Sequence, residues 1–159
     1  MQRIHGFTLV ELMVTVAVVA ILSTIAVPSF QSVIQNNRAS SVTNQIVTAL
    51  NLARSEAVRR GQPVSVCTTN WNQGWRVEVG TNCNATGDNL LRVWEAPHSS
   101  MVINSGNTNT ISFGSLGSRE NSNEVTITVH VQNCSGDRQR TLSIAPGGRV
   151  SANRSDCPS

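Results

Sequence analysis

Between Phe7 and Pro28 the chain reads FTLVELMVTVAVVAILSTIAVP, and Glu11 is the only charged side chain in it. The next charge is not met until Arg38. As a helix rising about 1.5 Å per residue, the stretch is about 30 Å long, enough to cross the hydrocarbon core of a bilayer. The rest of the chain has to be arranged around such a helix. Glu11 runs against its character, because a carboxylate near the start of a membrane span is costly unless it has a partner or a task. In front of it stands a short polar leader, Met1 to Gly6, with Arg3 and His5 as cationic candidates.

Two readings of this stretch follow from its residues alone. A secretory signal peptide cut near Ala26 would have a shorter apolar core free of acids; this one is longer and contains Glu11. A membrane anchor fits the length, with Arg3 keeping the N-terminus in the cytoplasm. Beyond Pro28 the helix is expected to continue, kinked where the proline removes a backbone donor. From Ser29 to Arg60 the apolar set becomes one-sided: Val42, Ile46, Leu50, Ala53 and Ala57 follow helical spacing. Arg59-Arg60-Gly61 followed by Pro63 then supplies a stop, with cations in the last turn and a glycine after it.

Short alternating runs after the helix predict strands at Val64–Thr68, Trp75–Val79, Leu90–Glu95, Met101–Ile103, Thr110–Phe113, Val125–Gln132 and Thr141–Ala145. The predicted class is therefore α+β, a long helix whose second half packs on antiparallel sheets. No GxSxG, HExxH, P-loop or Rossmann glycine pattern occurs, and the histidines accompany no nucleophile–acid set. A non-enzymatic protein without a cofactor is the expectation. Trp75 and Trp94 lie in strand-like runs that suggest core packing, whereas Trp71, between Asn70 and Asn72, is the candidate for an exposed ring.

The four cysteines, Cys67, Cys83, Cys134 and Cys157, form no CxxC pair and have no accompanying histidines, which argues against a metal site. An anchor with its N-terminus inside places them outside the cytoplasm, where disulfides persist. Three pairings are open; the short loops favour Cys67–Cys83 and Cys134–Cys157. All 12 basic residues are arginine, which a GC-rich genome would also produce. Arg138, Arg140, Arg149 and Arg154 crowd the tail against Asp137 and Asp156. Stapled by Cys134–Cys157, they would form one patch able to fork onto the phosphates of double-stranded DNA.

Gly6-Phe7-Thr8-Leu9-Val10-Glu11-Leu12 resembles the leader junction of type IV pilins and type II secretion pseudopilins. The resemblance implies that a prepilin peptidase cuts after Gly6 and methylates Phe7. It also implies that Glu11 pairs with the N-terminal amine of a neighbouring subunit, as an assembly device. Ala53 to Val64, Gly74-Trp75-Arg76-Val77, Ile111-Ser112-Phe113-Gly114 and Leu142 to Val150 are similar to the GspH/FimT/FimU branch. On that resemblance, residues 1–6 are a leader, 7–28 a transmembrane and assembly half-helix, and 29–159 a periplasmic domain in the type IV pilin fold. The expected partners are other major and minor pilins, the prepilin peptidase and the inner membrane, with the pilus fibre as final location. A minor pilin is the leading reading, and a GspH-like pseudopilin of a type II secretion system the alternative within the class. From another class comes a DNA-uptake receptor, since FimT-type pilins bind DNA through a C-terminal Gly-Arg-x-Arg motif. Gly148-Arg149-Val150 matches its start, but Ser151 stands where the second arginine belongs, and the next is Arg154.

Overall fold

The computed structural model describes residues 7–158. Arg3, His5 and Gly6 lie outside them. One helix, α1, occupies Leu9–Arg60 and is 52 residues long, with Pro28 inside it. The chain divides into two compact units, one ending at Ile34 and one beginning at Gln35. In the first, every large apolar side chain from Phe7 to Ile25 is exposed, from 49% at Val18 to 80% at Phe7. By length and composition this part of α1 can cross a membrane.

The second unit carries the remainder of α1 and eight strands. These are β1 (Val64–Cys67), β2 (Trp75–Val79), β3 (Leu90–Trp94), β4 (Met101–Asn104), β5 (Thr110–Phe113), β6 (Val125–Val131), β7 (Gln139–Ile144) and β8 (Val150–Ser155). They form two antiparallel sheets of four, ordered β3-β2-β1-β5 and β4-β6-β7-β8. Val42, Ile46, Leu50, Ala53 and Ala57 are all buried, joined by Ala39 and Ala49. Four alanines on one helix face let the backbone come close to the strands beneath it. From the sheets, Val64, Val66, Ile111, Phe113, Ile127 and Leu142 complete this core. β6 alternates buried with more exposed positions along its length, the pattern of a strand with one face on a core. The predicted strands hold to within two residues at their ends. β8 was not among them.

β7 and β8 are joined by a tight turn, Ala145–Arg149, closed by Ala145 N–H to the Arg149 carbonyl at 2.9 Å. Gly148 is essential to it. Its φ is +79°, and a Cβ there would stand 2.1 Å from the Gly117 carbonyl oxygen. Only glycine permits that approach.

Candidate functional site

At the start of α1, Thr8 Oγ1 accepts the Glu11 N–H at 3.2 Å. Thr8 is thus the N-cap and Glu11 the third helical residue, the spacing of a capping box. The order Thr8-Leu9-Val10-Glu11 is the sequence form of this helix start. An acid in the first turn also complements the helix dipole. Glu11 is exposed and has no ion-pair partner among the described residues. Phe7 precedes the cap, and its ring is exposed.

The disulfides join Cys67 to Cys83 and Cys134 to Cys157. The second links the loop after β6 to the segment after β8, where Cys157 N–H also donates to the Gly136 carbonyl at 2.8 Å. It does not gather the four tail arginines into one patch, as the sequence suggested. Arg140 pairs with Arg154 across the β7–β8 ladder, close to the disulfide. Arg149 lies in the turn at the other end of that hairpin. Five residues along a strand separate it from Arg154, about 16 Å.

The burial of the four also differs. Arg149 and Arg154 are exposed, Arg138 is half-buried, and Arg140 is 7% exposed. Arg140 Nη2 donates to Ser40 Oγ at 3.3 Å, and Arg138 Nη1 to Gln35 Oε1 at 3.5 Å. Burial, then the nearby Arg154, pushes the Arg140 pKa down, and Asp137 opposes the shift. Arg140 is therefore unavailable to a large ligand. Next to Arg149 the turn rests on α1, where Arg54 Nη2 donates to the Gly147 carbonyl at 3.3 Å.

The tryptophans form a row: Trp71 and Trp75 centroids are 5.8 Å apart, and Trp75 and Trp94 stack at 6.4 Å. Trp71 is 2% exposed and its indole N–H donates to the Thr108 carbonyl at 2.8 Å, so it is no surface platform. Trp94 is half-buried beneath the Arg92 guanidinium, 4.7 Å from its ring centroid. His98 Nδ1 receives the Ser100 N–H at 3.1 Å, with Ser100 Oγ 2.9 Å away. That arrangement closes the loop between β3 and β4. Cys67, Glu78 and Cys83 are the grouped metal-capable side chains among the described residues, but their two sulfurs are bonded to each other.

A family model described as Type II transport protein GspH matches residues 42–148. One for the prokaryotic N-terminal methylation motif matches residues 1–27. A type IV major fimbrial protein, FimA, of Dichelobacter nodosus is 39% identical over 89 residues, covering 54% of this chain and 46% of its own. A probable minor fimbrial protein of the same organism is 29% identical over 117 residues, 71% of this chain and 64% of its own. The chain spans under half the length of the first curated relatives it matches. The crystal structure of the Pseudomonas aeruginosa type IV minor pilin FimU superposes with a TM-score of 0.62 at 23% identity. That match covers 74% of this chain and 89% of FimU, and it establishes the shared fold.

Proposed function

This chain belongs to the GspH-like family of type IV minor pilins and pseudopilins, and from that premise we propose that it is a minor pilin subunit of a type IV pilus. In this reading residues 1–6 are the leader, and a prepilin peptidase cuts between Gly6 and Phe7 and methylates Phe7. Residues 7–28 hold the subunit in the inner membrane, N-terminus in the cytoplasm, and residues 29–159 face the periplasm. The subunit then leaves the bilayer for a fibre built of other major and minor pilins.

The observation that carries the proposal is the division of α1. Its first part is apolar on every side and wholly exposed, and its second is buried along one stripe in a folded domain. A helix of the first kind needs lipid or other helices around it; a membrane before assembly and a helix bundle afterwards supply both. The fimbrial names of the relatives favour a pilus over a secretion system. The test is deletion of this chain in its native host, followed by counts of surface pili and an assay of type II secretion. Lost piliation with intact secretion is expected. The reverse result would make the chain a pseudopilin.

A second reading, weak binding of double-stranded DNA, is supported by exposed Arg149 and Arg154 at the two ends of the β7–β8 hairpin. A duplex laid along edge strand β8 would reach both. Binding is expected in the non-specific range of roughly 10⁻⁴–10⁻⁶ M, and each lost phosphate contact should lower the salt slope by about one. Arg92→Ala is the charge-matched control in a mobility-shift titration. Equal weakening by Arg92→Ala and Arg149→Ala would reduce the effect to net charge. Arg76 cannot serve as a control, because it pairs with a buried acid.

A further inference from the structure

The sheet β3-β2-β1-β5 ends on two edges of different character. β3 carries Arg92 and a register shift between Val77 and Glu78 where it pairs with β2. A charge and a bulge keep a strand edge from pairing further. β5, Thr110-Ile111-Ser112-Phe113, has neither, and three of its four residues are β-branched or aromatic. Thr68 N–H donates to the Asn109 carbonyl at 2.9 Å, so Asn109, Ile111 and Phe113 turn their backbone groups towards β1. Thr110 and Ser112 turn theirs outward. That outer row begins to fill, since Gly114 N–H donates to the Ser118 carbonyl at 2.8 Å and Glu120 N–H to the Ser112 carbonyl at 3.1 Å. Asn121-Ser122-Asn123 then leads the chain off the edge, with Asn123 N–H donating to Asn121 Oδ1 at 3.3 Å. Among the described residues, the N–H and C=O of Thr110 are left without a backbone partner.

Where the two segments part they leave a cavity of about 610 Å³, lined among others by Thr108, Thr110, Ser112, Arg119, Glu120 and Glu124. Its volume is that of a ligand site. Arg119 is 8% exposed; its Nη1 donates to the Asn123 carbonyl, and its Nε is buried without a partner. No acid stands within ion-pair distance of it among the described residues. Burial pushes its pKa down. A buried guanidinium with one neutral acceptor lacks a counter-ion, and a carboxylate supplies one in matching fork geometry. Glu120 and Glu124 line the same cavity but are exposed, so water screens them more than it screens Arg119. They disfavour a polyanion and tolerate a ligand with a single acid. The open backbone groups of Thr110 border the same space, and they match a peptide strand rather than a sugar ring.

We infer that the outer edge of β5 accepts an extended peptide segment of a partner protein, which continues the row that Glu120 leaves and sets one acidic side chain against Arg119. Arg119 stands opposite Phe113. The segment residue opposite Ile111 shares that face, two positions and about 7 Å along, and is the place for the acid. The inference holds whether the chain serves a pilus or a secretion system. Its test uses the full chain in non-ionic detergent micelles and a library of acetylated octapeptide amides on a Thr-Val frame, each residue type fixed in turn at each position, read by fluorescence anisotropy. Asp or Glu is expected to be selected at one interior position, with Lys there the poorest. Replacing that acid by its amide, or Arg119→Gln, should each weaken the best peptide about tenfold, and the two together little more than either alone. Thr110→Pro removes an outward N–H and no bond to β1, and should weaken every library member. Arg92→Gln should change nothing. Circular dichroism checks the folding of each variant. Should Arg119→Gln fail to fold, N-methylation of the best peptide decides: blocking one set of alternate residues should abolish binding and blocking the other should spare it. A library without binders or without acidic selection, or binding that survives both Thr110→Pro and both methylation patterns, would overturn the inference. So would free glucuronate that binds through Arg119 where no peptide does.

Discussion

A carboxylate that is 1% exposed has to be accounted for by its neighbours, and Glu78 has few. Its Oε1 accepts the Ala85 N–H at 3.2 Å, and Arg76 Nε lies 3.0 Å from Oε2 without hydrogen-bond geometry. Arg76 also donates to the Cys83 carbonyl, which ties the ion pair to the first disulfide. Arg76→Ala would leave a buried negative charge with one hydrogen bond, and should cost about 2 kcal/mol in denaturant unfolding. Arg92→Ala, on the open face, should cost under about 0.5 kcal/mol. Adding Glu78→Gln to Arg76→Ala should recover part of the loss, because the uncompensated charge disappears. Alternation along β2 places Arg76 and Glu78 on one face, but nothing in the sequence says that the loop 80–85 covers one of them. A second acid gives a pH signature. Arg59 and Arg60 both hydrogen-bond Glu56, at distances down to 2.5 Å, and hold its pKa at about 2. A depressed carboxylate pKa stabilises the fold above the unfolded value, and that contribution is lost as pH falls towards 2. Thermal unfolding between pH 5 and pH 2 should therefore show a decline that Glu56→Gln lessens.

Strand β8 sits at an edge, and its sequence, Val150-Ser151-Ala152-Asn153-Arg154-Ser155, has no apolar alternation. An edge strand with little to bury carries little of the pattern by which the others were legible. The division of the arginine patch is hidden for the same reason. A loop over Val150–Ser155 would let Arg149 and Arg154 fold together; as a strand, they are held apart. β6 and the helical stripe were legible for the opposite reason, since each buries one full face. What holds β8 is the ladder to β7, the Ser155 hydroxyl bonded to Thr141 and Gln139 side chains, and the Cys134–Cys157 bond beyond it. That disulfide closes a loop with a sequence separation of 23. Replacing both cysteines by serine should cost about 3 kcal/mol through the loop entropy returned to the unfolded chain. Hydrogen exchange should show the loss first at β8, with β6 amides still protected. Uniform loss across β6, β7 and β8 would mean that the bond stabilises the whole sheet rather than its edge.

At the scale of the whole molecule, two accounts of Glu11 make different demands, and they can be separated. As a polar residue at the third helical position, where a capping box places Glu or Gln, Glu11 would serve its own helix, and glutamine would serve nearly as well. As the counter-charge for a neighbour's amine in a helix bundle, it is needed for its charge, because an unpaired amine in a low-dielectric surround is costly. Glu11→Gln keeps the size and polarity and removes the charge; Glu11→Val removes charge and polarity together, and both keep the backbone N–H that Thr8 Oγ1 caps. Neither should reduce membrane insertion, since each takes a carboxylate out of an apolar helix. If the proposed assembly role holds, both variants should fractionate with the membrane, be cut after Gly6 and begin at Phe7 by mass spectrometry, yet be depleted from sheared fibres. Normal incorporation of Glu11→Gln alongside depletion of Glu11→Val would show that position 11 needs a polar side chain rather than a charge. The processing step is checked in the same experiment. Gly6→Val should leave the full-length chain in the membrane, and a product starting near Val27 would instead mark residues 1–26 as a secretory signal.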